Sequence, residues 1–109
     1  MRVRHAISGI ETAFRHERNL KIHAVFAMIV IIAAWGLRVS RQDWIILLFL
    51  IAAVICLELV NTAVERTVDL ITQDEHPLAK QAKDIAAGAV LVMAIASAII
   101  GCIIFIKYL

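Results

Sequence analysis

Glycine, proline and cysteine are scarce in this 109-residue sequence, with four, one and two copies. The glycines form neither G-x-x-x-x-G-K nor G-x-G-x-x-G, so a phosphate-cradling loop is excluded, and any nucleotide has to be held through metal and side chains. Cys56 and Cys102 stand singly inside apolar runs without a C-x-x-C spacing, which argues against a zinc site or a disulfide framework and for buried, inert thiols. Net charge is only +2, too little to indicate a nucleic-acid partner. There is no strand alternation, internal repeat or low-complexity linker. Residues 24–37 could pass for the apolar part of a signal peptide, but Arg38-Val39-Ser40-Arg41 follows with no small-residue cleavage site, so the segment is expected to be retained as a membrane span.

What the sequence has in abundance is apolar surface. It is 62% hydrophobic with a mean hydropathy of +0.89, and a soluble domain this small could not hide that much from water. The expected fold class is therefore all-α integral membrane, as one domain spanning 1–109. Val3, Ile7, Ile10 and Phe14 repeat at intervals of four, three and four, which makes residues 1–16 a basic amphipathic helix lying on the bilayer surface. Three transmembrane helices follow, at about 20–37, 44–71 and 78–106. The uncharged runs 24–37 and 44–57 have 14 residues each, about 21 Å against a hydrocarbon core of about 30 Å, so polar ends must enter the membrane while covered by protein. The third run, 85–106, is long enough alone. Ala82, Ala86, Ala89, Met93 and Ala96, with Gly88 nearby, form a row that lets helices approach closely. The single proline, Pro77, ends the turn from Thr72 and opens the last helix.

Three spans put the N-terminal segment, the end of the second span and the 72–77 turn on one side. That side carries eight basic residues (Arg2, Arg4, Arg15, Arg18, Lys21, Arg66, Lys80 and Lys83) against Arg38, Arg41 and Lys107 on the other, which predicts that it faces the cytoplasm of a plasma-membrane protein. Glu58, Asn61, Glu65 and Asp69 fall within an arc of roughly 80° on the second span. Glu58 follows the apolar run directly, about 21 Å along the helix from Trp44, a residue expected to anchor the interface. An ionisable group at that depth is costly and is a candidate for function; the more exposed Asp69 fits a solvated face equally well. The topology brings Glu17 and the pair Lys83-Asp84 to the same level. Carboxylates and an amide suit Mg²⁺, and a lysine suits a phosphate. His5, His16 and His23 lie 11 and 7 residues apart, too far to share one metal, and are expected to pack at the interface. His76 is the histidine placed near the acidic cluster.

The stretch from Glu58 through Asn61 and Glu65 to Asp69, followed by His76-Pro-Leu-Ala-Lys-Gln-Ala-Lys83-Asp84-Ile-Ala-Ala-Gly-Ala, resembles the prokaryotic diacylglycerol kinase family. The earlier block Glu17-Arg-Asn-Leu-Lys-Ile-His23 is similar to its Gram-positive undecaprenol kinase branch. The resemblance covers nearly the whole chain. It implies a homotrimer with sites between subunits, Mg·ATP as phosphoryl donor and a membrane lipid alcohol as acceptor. Carried over by position, Glu58 is the general base with Asn61 beside it, and Glu17 and Glu65 are the metal ligands. These two, with Asp74, His76, Lys83 and Asp84, hold the nucleotide. Small residues near Glu58, Ala87 and Ala63 among them, are expected to line the lipid site. Undecaprenol is the expected acceptor and diacylglycerol the alternative within the family. A different class, an oligomeric transporter coupling through Glu58, would need its carboxylate nearer the midplane.

Overall fold

A computed structural model describes residues 2–109 as four helices: α1 (Val3–His16), α2 (Arg18–Gly36), α3 (Arg41–Ile71) and α4 (Pro77–Ile106). No strand occurs among the described residues. The last three are long and apolar enough to cross a membrane. At 19, 31 and 30 residues they reach about 28, 46 and 45 Å. The shortfall of the 14-residue runs is thus made up by continuing each helix through its polar end. α3 packs against all three other helices and most extensively against α4.

α1 presents its apolar stripe outward, with Val3 67% and Ile7 57% exposed. That orientation leaves the stripe free to rest on a bilayer surface. α1 breaks from α2 at Glu17, whose backbone is extended (φ −105°, ψ 115°). The break ends the common helical face on which His5, His16 and His23 would have stood.

The two termini of the α2–α3 connection are built differently. α2 closes in a Schellman motif: Val39 N–H donates to Ala34 O at 3.2 Å and Arg38 N–H to Trp35 O at 3.3 Å. Arg38 takes the left-handed position at φ 55°, where glycine is the unstrained choice. Val39 and Ala34, brought together by the motif, join Leu47 and Ile104 in the buried core. Ser40 then caps α3 by accepting from Asp43 N–H at 3.2 Å.

At this same end, α4 is clasped to α3. Asp43 is 4% exposed. Its carboxylate accepts from Tyr108 Oη at 2.5 Å and pairs with Lys107 Nζ at 3.0 Å, and Tyr108 Oη accepts from Ser40 N–H at 2.9 Å.

Several side chains stand elsewhere than the sequence suggests. Trp44 is half-buried against the core, and Trp35 on α2 is the exposed indole of that end. Trp44 sits one residue after Asp43, on the part of α3 that the clasp turns inward. Cys56 and Cys102 are exposed, because the outward faces of α3 and α4 are themselves apolar and take a small hydrophobe as readily as the core does. Of the small-residue row on α4, Ala82, Ala86, Met93 and Ala96 are half-buried but Ala89 is exposed. Gly88 has open space where a Cβ would stand, so it mediates no close approach.

Candidate active site

Two acidic side chains are buried, and they are served very differently. Asp43 has a tyrosine hydroxyl and an ammonium on its oxygens, as described above. Glu58, 3% exposed on α3, has only His23 Nε2 within ion-pairing range among the described residues, at 3.8 Å. Its backbone oxygen is used by Thr62 Oγ1 at 3.0 Å. Buried polar groups are normally paired, and an under-served carboxylate calls for an explanation. A fully clasped acid is structural; one left open beside a histidine is available for chemistry.

One turn further along α3, Asn61 is buried as well. Its Nδ2 donates to Glu65 Oε1 at 3.0 Å, while its Oδ1 is buried with no partner among the described residues. Glu65 has Glu17, Glu58, Asp69 and Lys83 as its charged neighbours. Glu17 arrives there because of the α1–α2 break. Its side chain does not cap α2 and lies instead 4.0 Å from Arg66. The helical offsets seen in the sequence, together with this break, bring Glu17, Glu58, Asn61 and Glu65 into one acidic cluster.

The basic and turn residues gather one step outward. Lys83 of α4 pairs with Asp69 of α3 at 2.5 Å, both half-exposed. Asp69 therefore belongs to the site's electrostatics more than a solvated face would suggest. Asp84 pairs with Lys80 at 2.6 Å on the outer side of α4. The turn is ordered by side chains: Thr72 Oγ1 accepts from Asp74 N–H, Asp74 O from His76 N–H, and His76 Nδ1 from Leu78 N–H at 3.1 Å. His76 thus caps α4, a role the sequence did not reveal. Asp74, His76 and Lys83 line one hollow of about 580 Å³. Asp84 is outside it.

An apolar groove of about 310 Å³ runs between α2, α3 and α4 from His23 through Val54 and Ala94 to Phe105. Among the described residues, His23 and Ser97 are its only side chains with hydrogen-bonding atoms, and Ser97 Oγ is buried without a partner. Ala87, expected near Glu58, does not line this groove. It is exposed on α4, seven residues and about 10 Å before Ala94, which carries it past the end of the groove. Ala63 lines a separate hollow between α1 and α3. His23 is the residue that sequence reasoning set aside. Depth along the helices would have found it: His23 lies 13 residues before Gly36 and Glu58 14 after Trp44, about 20 and 21 Å from the same end.

The donor set fits a hard divalent cation. No three His, Cys, Asp or Glu side chains converge on a metal position among the described residues. Mg²⁺, however, is commonly held by one or two carboxylates together with water and phosphate oxygens. Glu17, Glu65 and the orphaned Asn61 Oδ1 offer oxygens of that kind.

Comparison with known proteins identifies the family. Residues 4–105 match the prokaryotic diacylglycerol kinase family. The chain is 50% identical over 105 residues to undecaprenol kinase of Bacillus subtilis, covering 96% of this chain and 85% of that one. It is 46% identical over 99 residues to a diacylglycerol kinase of Synechocystis, covering 90% and 57%. With diacylglycerol kinase of Escherichia coli it shares 29% over 96 residues, covering 88% and 79%. A buried, under-served carboxylate on a membrane helix and a match along almost the full length place the chain, a membrane protein, in the prokaryotic diacylglycerol kinase family.

Proposed function

We propose that this protein is an ATP-dependent lipid kinase that phosphorylates a membrane lipid alcohol, undecaprenol in the first place, with its active site at the cytoplasmic face of the plasma membrane. The observation that carries the reading is Glu58: buried at one end of the membrane-spanning part of α3, beside His23, which lines the apolar groove, on one side and beside further acidic groups on the other. The excess of basic residues at that end supports its cytoplasmic orientation. The 50% identity to a protein named undecaprenol kinase supports the acceptor.

In this reading the lipid hydroxyl reaches Glu58, which takes its proton as the oxygen bonds to the γ-phosphorus and ADP leaves in line. Asn61 fixes Glu65 through its amide and holds the cluster's geometry. Glu17, Glu65 and Asn61 Oδ1 would hold Mg²⁺, which when bound supplies positive charge to the phosphate oxygens. Lys83 turns from Asp69 toward the same phosphates, Asp74 and His76 bound the nucleotide, and Asp84 acts on it through Lys80, which it holds at the wall of the same hollow. Fixed charges of this sort carry most of the catalysis where the transition state is loose. The chain assembles as a homotrimer, which covers the half-exposed α3–α4 side of the site with a second subunit.

Acceptor choice follows from the groove. Diacylglycerol brings two ester carbonyls beside its hydroxyl, and the groove has Ser97 as its one hydroxyl donor. One carbonyl is left unpaired, at about 1–3 kcal/mol. A polyprenol brings none. ADP formation by the purified protein in micelles tests the proposal: it should depend on added undecaprenol. ATP hydrolysis indifferent to lipid, or ion flux in liposomes without ADP formation, contradicts it.

A further inference from the structure

The 3.8 Å between His23 Nε2 and Glu58 Oε2 is too long for a hydrogen bond. It is also too short for an oxygen to stand in line between the two atoms. An oxygen set to one side, however, reaches both at about 2.8 Å, with an angle of roughly 85° between the two contacts. The group suited to that position has to accept from a ring N–H and donate to a carboxylate. An alcohol hydroxyl does both.

What surrounds the pair points the same way. His23 forms one end of the apolar groove, so a hydroxyl held there has its carbon chain directed into hydrocarbon-like surroundings. The volume of about 310 Å³ is roughly twice that of a cavity that accepts benzene, enough for the first part of a chain and not for a headgroup. Glu58 has no other side-chain partner to satisfy it among the described residues, and His23 is itself mostly covered, its side chain 24% exposed.

We propose that His23 is a second hold on the acceptor hydroxyl: its Nε2–H donates to the alcohol oxygen while that oxygen's proton points at Glu58 Oε2. The inference rests on the lipid-kinase reading and adds to it the residue that orients the acceptor. During transfer the O–H bond breaks, its proton passes to Glu58 Oε2, the oxygen bonds to the γ-phosphorus, and the bond from that phosphorus to the leaving ADP oxygen breaks. The His23 hydrogen bond stays on the oxygen throughout. It selects for a slim alcohol whose hydroxyl-bearing carbon runs straight into a hydrocarbon chain.

Undecaprenol titrations at saturating Mg·ATP, with wild type, His23→Leu and His23→Gln in the same micelles, test this. His23→Leu should raise KM for undecaprenol about tenfold, with KM for ATP within about twofold of wild type. His23→Gln, whose amide N–H₂ reaches the position of Nε2, should recover most of the loss. If His23→Leu does not insert, His23→Asn, whose amide stops short at the position of Nδ1, takes its place with the same expectation. An undecaprenol KM unchanged by the loss of Nε2–H, an equal rise in the ATP constant, or a glutamine variant as impaired as the leucine one overturns the assignment. A wild-type protein that forms no ADP in response to undecaprenol would instead remove the kinase reading beneath it.

Discussion

Glu58→Gln separates the chemistry of the buried carboxylate from its place in the fold. Glutamine keeps the volume and its place beside His23, but it cannot take a proton from an alcohol. General-base catalysis contributes about 10²- to 10⁴-fold, so turnover should fall by at least about a hundredfold. Stability should move the other way. A carboxylate at the centre of a membrane helix costs about 2.5–3.5 kcal/mol. Glu58 is about 21 Å from Trp44 along a helix that crosses about 30 Å, so it lies about two-thirds of the way across and keeps a fraction of that cost, about 1 kcal/mol. His23 at 3.8 Å offsets little of it. The variant should therefore be inactive and as stable as wild type, or more stable by about 1 kcal/mol. Initial rates with undecaprenol in mixed micelles, paired with unfolding followed by far-ultraviolet circular dichroism, read both quantities. A variant that keeps more than half its turnover would show that Glu58 is not the base. Lost turnover with a lowered unfolding midpoint would show that Glu58 is structural, as Asp43 is.

Glu17→Gln and Glu65→Gln should each shift the Mg²⁺ titration of activity to higher concentration while leaving helix content unchanged, and an unmoved titration in both variants would put the metal elsewhere. Tyr108→Phe removes one of Asp43's partners and the acceptor for Ser40 N–H, so it should lower the thermal midpoint by a few degrees without changing the lipid KM; a lipid KM that rises with it would couple the clasp to the site. Arg38→Gly relieves the left-handed backbone at φ 55° and should raise stability by about 1 kcal/mol in urea titrations, whereas a loss of stability would mean that the arginine side chain does more than the turn requires.

The helices were legible because lipid demands long apolar runs, and the acidic arc because a 3.6-residue period fixes which side chains share a face. Glu58, Asn61 and Glu65 need nothing else to fall together. What the sequence hid depends on contacts between distant segments. Lys107 and Tyr108 lie 64 and 65 residues from Asp43, and no periodicity links them. His23 lies on a different helix from Glu58, and its face is set by a break at Glu17 that no proline or glycine announces. Arg38 occupies a position where the sequence signal for a helix end would be glycine; the motif forms regardless because Val39 and Ala34 are buried together. Ala87 lies apart from the groove for a simpler reason. Helical phase fixes its direction but not how far along α4 the groove extends.

The central claim is that a membrane alcohol free of neighbouring ester groups is the acceptor at Glu58. Transfer of labelled γ-phosphate from ATP to undecaprenol and to diacylglycerol, measured as initial rates in the same mixed micelles with Mg²⁺ present, tests it most directly. One unpaired carbonyl at about 1–3 kcal/mol corresponds to undecaprenol being favoured by about fivefold to 150-fold. A diacylglycerol rate equal to or above the undecaprenol rate would contradict that account of the groove, and absence of label in both lipids would contradict the kinase itself.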